Sequence, residues 1–259
     1  MKKLLALITT LVMLACFAGC AGQAKVIVAE KESAGETVAQ TLEDYEYTAV
    51  DTQAKAIMEV ASGTADAAIV DYVMSIGSIG KGTDYENLVV TGDGYSPENY
   101  GIAFRKGSDV TAKVNEAIAT LRDNGKLKEI ADKYKLGDLI SATEKFDEFK
   151  QSENNSDWEY IKAKGELVIG ITYFAPMNYK NQAGELVGFE TEFAKAVCEV
   201  LGVKAKFQEI NWSAKETELA AKNIDCIWNG MTITDERLEA MSITIPYMAN
   251  KQVMVVKEK

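Results

Sequence analysis

The chain reads as an α/β protein of two lobes. Short apolar, strand-like runs alternate with amphipathic helices from residue 24 to about 91. The same alternation restarts near residue 167, after a helical pair and a polar stretch. Two such β-α-β-α-β units predict two sheets covered by helices. No convincing sequence repeat relates them.

In the first unit, residues 25–29 form a short apolar strand and residues 33–43 a helix. Residues 46–50 form a strand. Residues 52–62 form a helix with Ile57, Met58 and Ala61 on one face, stopped by Gly63. Residues 67–70 are continuously apolar, as a buried parallel strand requires. Residues 71–79 read as a helix, and residues 87–90 and 100–105 as extended. Two helices follow, at 109–123 and 126–134; Val110, Val114, Ala117, Ile118 and Leu121 share one face of the first. Residues 141–156 are polar and make the best linker in the chain. In the second unit, strands are expected at 167–172, 204–210, 224–228 and 253–256. Helices are expected at 189–201 and 213–222, and another starts at Thr234.

Composition narrows the chemistry. The 259 residues carry a net charge of -11 and are 47% hydrophobic, enough for a folded core. An acidic surface repels phosphate backbones, so no nucleic-acid partner is expected. Histidine is absent. That removes Ser-His-Asp triads, Cys-His pairs and His-ligated zinc. No cofactor or metal site is expected, and the enzyme classes are reduced without being excluded.

The N-terminus reads as a leader: Lys2 and Lys3, then an apolar run from 4 to 17, then Phe17-Ala18-Gly19-Cys20. Residues 1–19 resemble a lipoprotein signal, with Cys20 the lipidated first residue of the mature chain. The protein is then expected on the outer face of the cell membrane, or in the periplasm, anchored by lipid. Cys198 and Cys226 are expected as buried thiols, a disulfide between them remaining open.

In open α/β sheets, ligands sit beyond the carboxyl ends of the strands. The first strand runs into Ser33-Ala34-Gly35-Glu36, a capping box that opens a helix, whose amides favour an anion. The strand at 67–70 delivers Asp71, either a plain helix cap or a partner for a ligand ammonium. In the second unit, strand ends deliver Phe174, then Asn211-Trp212, then Asn229-Gly230-Met231-Thr232. Arg237 falls in the first turn of the helix begun by Thr234, against the macrodipole. A local rule broken without evident gain marks a candidate functional residue. A guanidinium fork suits a carboxylate. Together these groups describe a site for a zwitterion walled by aromatic rings.

These residues resemble the extracellular solute-binding proteins of family 3, the polar amino-acid receptors of ABC importers. The resemblance rests on Leu167 to Thr172 with Ala175-Pro176-Met177-Asn178-Tyr179, on Gly184 to Glu190, on Asn223-Ile224-Asp225 with Gly230 to Arg237, and on Gly63 to Ala68 with Asp71. It implies a two-lobe periplasmic-binding-protein-like fold of type II that captures a free polar amino acid for an ABC transporter permease. Arg237 and the amides of Ser33, Ala34 and Gly35 would clamp the α-carboxylate. Gly230, Thr232 and Asp71 would hold the α-ammonium, and Phe174 would cover the ligand. Trp212 and Asn229 would meet its side chain. Few acidic wall residues stand out, so a neutral ligand is expected before a basic one. Glu32 departs from the family, which usually has Gly before the Ser.

The order of segments also departs. The part resembling residues 157–259 comes first in the family and the part resembling 24–140 second, as if the chain were circularly permuted. Lobe 2 is then expected at 20–108, helices packing on lobe 1 at 109–140, and lobe 1 with a C-terminal hinge strand at 157–259. The cut after residue 256 is expected to sever one of two interlobe crossovers, loosening the hinge or inviting strand exchange. Two alternatives share the scaffold, a dehydratase-like enzyme and a ligand-sensing receptor domain.

Overall fold

The computed structural model describes residues 24–141 and 156–258. The leader, Cys20 and all of the 141–156 linker except its two end residues lie outside the described residues.

The first segment builds β1 (Lys25–Glu30), α1 (Ala34–Ala39), β2 (Tyr45–Val50), α2 (Gln53–Ser62), β3 (Ala67–Asp71) and α3 (Tyr72–Ser78). A long strand, β4 (Leu88–Arg105), leads to the helical pair α4 (Val110–Asp123) and α5 (Lys126–Lys133). The chain resumes with α6 (Asp157–Lys164), β5 (Glu166–Ile171), a small hairpin of β6 (Tyr179–Lys180) and β7 (Leu186–Val187), and α7 (Phe189–Leu201). It ends with β8 (Lys204–Glu209), α8 (Lys215–Ala220), β9 (Cys226–Thr232), α9 (Asp235–Ala240), β10 (Met241–Ile243) and β11 (Met248–Lys257).

Local chemistry accounts for these boundaries. Thr52 caps α2 by accepting from the Lys55 amide at 3.0 Å, and Gly63 ends it in the left-handed conformation at φ 85°. Ala56, Ile57 and Val60 form its buried face; Met58, expected there, is 52% exposed, because the buried stripe runs one residue to its side. The i, i+4 row Phe189, Phe193 and Val197 buries α7. There Phe193 meets Trp228 edge to face at 5.2 Å between centroids. β3 is buried at every position, flanked by parallel β1 and antiparallel β11.

The main sheet has nine strands in the order β2-β1-β3-β11-β4-β9-β5-β8, with β10 added beside β4. It is mixed: β1 pairs in parallel with β2 and β3, and β5 with β8 and β9, whereas β4, β10 and β11 run antiparallel to their partners. It divides into two halves of like design. On one side β2, β1 and β3 are followed by antiparallel β11 and the start of β4. On the other, β8, β5 and β9 are followed by the antiparallel end of β4 and then β10. A shared clamp underlines the likeness. Asp66 accepts from the Val26 amide at 2.7 Å and Asp225 from the Val168 amide at 2.7 Å. The backbones of the same pairs bond at 2.9 and 2.8 Å. The halves thus repeat in structure what their sequences do not display.

The expectation of a severed crossover is corrected here. β4 passes from the first half to the second without a break. β10 leads through residues 244–247 into β11, which inserts between β3 and β4 of the same chain. Both crossovers are continuous, and the C-terminal strand lies in the first half, not with the 157–240 elements. Cys198 and Cys226 are both buried free thiols; burial pushes the Cys198 thiol up to about 12.

Candidate functional site

A narrow cavity opens where the carboxyl ends of β1, β3, β5 and β9 face one another. Glu30, Ser33, Ala34, Gln53 and Asp71 line it from the first half. Thr172, Tyr173, Phe174, Trp212, Asn229, Gly230, Thr232 and Arg237 line it from the second. Of the ten residues singled out from sequence, nine meet here. Gly35 does not. It lies on the buried face of the first turn of α1, where an added Cβ would stand 3.0 Å from Gln252 Oε1 and 3.1 Å from the Ile69 carbonyl, so its role there is close packing.

Arg237 lies in α9 behind the Thr234 cap, whose hydroxyl accepts from the Arg237 amide at 3.2 Å. Its Nη1 donates to the Thr232 carbonyl at 2.8 Å and its Nη2 reaches the Glu32 carbonyl of the opposite half at 3.4 Å. Burial lowers the guanidinium pKa; Glu216, Glu98 and Asp71 pull the other way. Glu32 has φ 59°, a left-handed backbone that glycine adopts without strain. The charge at this position therefore leaves the backbone turn in place. The same Glu32 carbonyl accepts from Trp212 Nε1 at 3.3 Å, and Glu32 Oε2 lies 3.8 Å from Lys215 Nζ. Three contacts thus hold the halves together across one mouth of the cavity.

Asp71 ends β3 and is 4% exposed. Its Oδ1 accepts from Asn250 Nδ2 at 2.7 Å and Gln252 Nε2 at 2.6 Å, its Oδ2 accepts from Gln53 Nε2, and its amide donates to Gln53 Oε1 at 2.8 Å. Burial pushes its pKa up, and these amide donors oppose the rise. Glu98 of β4 shares the Asn250 and Gln252 donors, and burial with the Asp71 charge raises it to about 8. The carboxylate is thereby tied to both crossover strands.

The walls are aromatic. Gly230 holds φ 58°, and a Cβ there would stand 2.6 Å from Phe174 Cε1, so the ring lies directly against the glycine. Trp212 sits in a 3-10 turn at Trp212–Ala214, with Lys215 Nζ 4.9 Å from its ring centroid. Asn229 spends its side chain inside the second half. Its Oδ1 accepts from the Thr172 amide at 2.9 Å and Asn178 Nδ2 at 3.1 Å, and its Nδ2 donates to Thr172 Oγ1 at 2.7 Å. It positions strand ends, leaving little side-chain capacity for a ligand. The Gly230 amide is taken by Glu190 Oε1 at 2.8 Å.

Glu30, Gln53, Thr172 and Tyr173 line the cavity but were not picked out from sequence. The strand-end rule that points to Asp71 applies equally to Glu30, an acidic residue closing the apolar run Val26 to Ala29. Among the described residues no group of His, Cys, Asp and Glu could hold a metal ion, and no helix is long and apolar enough to cross a membrane.

Residues 167–259 match the model of the bacterial extracellular solute-binding proteins, family 3. The L-cystine-binding protein TcyJ of Escherichia coli (strain K12) is 32% identical over 99 residues, 38% of this chain and 37% of that protein. A probable amino-acid ABC transporter-binding protein of Haemophilus influenzae is 38% identical over 96 residues, 37% of each chain. The crystal structure of a polar amino acid ABC uptake transporter substrate binding protein from Streptococcus thermophilus aligns at 38% identity over 32% of each chain, with a TM-score of 0.31. The matched stretch spans little more than a third of the curated relatives. It contains Phe174, Trp212, Asn229, Gly230, Thr232 and Arg237. By that match, residues 167–259 are similar to the bacterial extracellular solute-binding proteins, family 3.

Proposed function

We propose that the protein binds a free polar amino acid in the cavity between its halves and delivers it to an ABC transporter permease, without chemical turnover. One observation carries this reading. Arg237 and Asp71, opposite in charge and borne by opposite halves, line the same cavity. A guanidinium fork fits a carboxylate and a buried carboxylate fits an ammonium, so the pair matches the two ends of an α-amino acid. In this reading Arg237 and the Ser33-Ala34 backbone receive the α-carboxylate. Asp71, Thr232 and the Gly230 carbonyl receive the α-ammonium, and Phe174 and Trp212 enclose the side chain.

The names of the relatives, which bind cystine or histidine or serve amino-acid transport, support the same class of ligand. A thermal-shift screen over the twenty amino acids, followed by calorimetry on any hit, tests the proposal. Arg237→Ala should weaken the hit by about tenfold to a hundredfold or more, the loss of a charge-assisted pair. Unchanged affinity in that variant would remove Arg237 from the site.

Turnover by a dehydratase-like relative would need a proton donor at a reacting atom. Glu30 is the cavity acid that burial keeps protonated, at about 8. Ligand recovered unchanged after long incubation supports binding alone; a dehydrated product would reassign the protein as an enzyme.

The extracellular location and the lipid at Cys20 belong to the same proposal. Replacing Cys20 with Ala should release the protein from detergent-extracted membranes into the soluble fraction. The exchanged order of the halves relative to the family is also proposed, supported by a family match confined to residues 167–259.

A further inference from the structure

Glu30 closes β1 with its side chain in the cavity, only 5% exposed. Its Oε1 has no hydrogen-bond partner among the described residues. A buried polar atom left unpaired is destabilising, and in a binding cavity the missing partner is a group the ligand can supply. Charge decides what kind of group. Arg237 would be neutralised by the ligand's carboxylate and Asp71 by its ammonium, which leaves the Glu30 carboxyl without a cation in direct contact. Lys215 is the protein cation whose charge acts on Glu30, and it is shared with other groups. Its Nζ pairs with Glu32 Oε2 at 3.8 Å and sits over the Trp212 ring. Trp212 and Phe174 line the same space, and an aromatic neighbour favours a cation over a neutral amide.

We infer that Glu30 forms a subsite for a positively charged side chain, so that the ligand is a basic amino acid bearing a guanidinium or a terminal ammonium. This rests on the proposed amino-acid binding and narrows it. It also reverses the expectation of a neutral ligand, because Glu30 adds an acidic wall residue. Burial and the Asp71 charge raise Glu30 to about 8, with Lys215 and a Gln53 hydrogen bond opposing. A cation seated against it would draw the proton off, so binding at pH 7 should release a proton and tighten as pH rises toward 8.

The test compares L-arginine with L-citrulline, its uncharged isostere, and L-lysine with L-norleucine, by calorimetry on the full chain. The charged member of at least one pair should bind about tenfold tighter or more. In Glu30→Gln the ratio should fall to within about threefold while citrulline or norleucine binding persists, which also certifies the fold. Titration in two buffers of different ionisation enthalpy should detect the released proton in the wild type and not in Glu30→Gln. A wild type that prefers the uncharged members, or a ratio that survives Glu30→Gln, overturns the inference. If the variant does not fold, the wild-type ratios and proton release decide alone. If neutral amino acids bind in an Arg237-dependent way with no preference for charge, this subsite fails and the proposed function stands. If no amino acid binds, both fall.

Discussion

Single residues set the electrostatics of this molecule, and Glu190 gives the clearest measurable case. It is 1% exposed, and its carboxylate accepts from the Gly230 amide, Asn178 Nδ2 and the Tyr247 hydroxyl. Burial nevertheless outweighs these donors and raises it to about 7. The folded state therefore binds the proton more tightly than the unfolded chain. The stabilisation is fully present below pH 4.5, is lost as pH rises from 4.5 to about 7, and is flat above. Glu30 and Glu98, raised to about 8, act in the same direction and extend the decline. Urea unfolding should therefore give a wild type less stable at pH 8 than at pH 5, with Glu190 contributing about 1–3 kcal/mol. Glu190→Gln should lose absolute stability, because its amide would face the Asn178 donor, but show a shallower slope between pH 5 and 7. A wild type that gains stability over that interval would contradict the assignment. The candidate site was readable at this scale where a residue broke a local rule, as Arg237 does in the first turn of its helix. Glu30 broke none, since an acid at a strand end looks like ordinary solvent exposure until the opposite half is laid over it. The strand-end position of Asn229 points to a ligand contact, and the residue does line the cavity. Its hydrogen bonds to Thr172 and Asn178 depend on a partner strand that sequence does not supply.

Helices and buried strands were legible wherever caps and periodicity agreed. The helix expected at 189–201 is α7, and the one expected at 52–62 is α2 with its Thr52 cap. The 18-residue β4 was not legible as one element. Its middle, Gly92-Asp93-Gly94-Tyr95-Ser96-Pro97, carries turn residues, and sequence reasoning split it into two short strands. The structure keeps it extended because β11 pairs with it from Leu88 to Tyr100, with register shifts near Gln252 that absorb the glycines. Three-residue β10 and the extension of β11 back to Met248 were missed for the same reason: pairing with a distant strand, not local propensity, makes them strands. Gly101 marks where β4 changes partners, from β11 to β9. An added Cβ there would lie 2.6 Å from Ile243 Cγ2 and 2.9 Å from Ile233 Cδ1. Gly101→Val should therefore cost about 1–3 kcal/mol by overpacking, read from the urea midpoint at constant slope. A variant as stable as the wild type would mean that β10 and the 233 loop yield freely, and that the crossover is softer than its packing implies.

For the whole molecule, the arrangement of the sheet argues that binding depends on contacts and not on which loop is open. Each half has the strand order of the other, each lends one strand to its neighbour through a crossover, and the cavity lies between them. The described chain also starts and stops close together. Ile27 of β1 is in register with Ala67 of β3, and Val256 of β11 is in register with the same Ala67. The two ends are thus two strand spacings apart, about 10 Å. A short Gly-Ser linker from Glu258 to Lys25 would span that gap without disturbing a backbone hydrogen bond of the sheet. If the order of the halves is an exchange of the family's order, joining these ends and opening the chain within 142–155 should restore the ordinary order and keep every contact described here. The rearranged protein should bind the same ligand within about threefold, with Arg237→Ala weakening binding to the same extent in both forms, because the cavity residues come from elements that the rearrangement leaves whole. Stability should then differ only through the entropy of the closed loops, which varies slowly with loop length, by about 0.6 kcal/mol for each doubling. A rearranged chain that folds but has lost the ligand would show that residues 142–155 contribute to the site, and would reject the equivalence of the two orders.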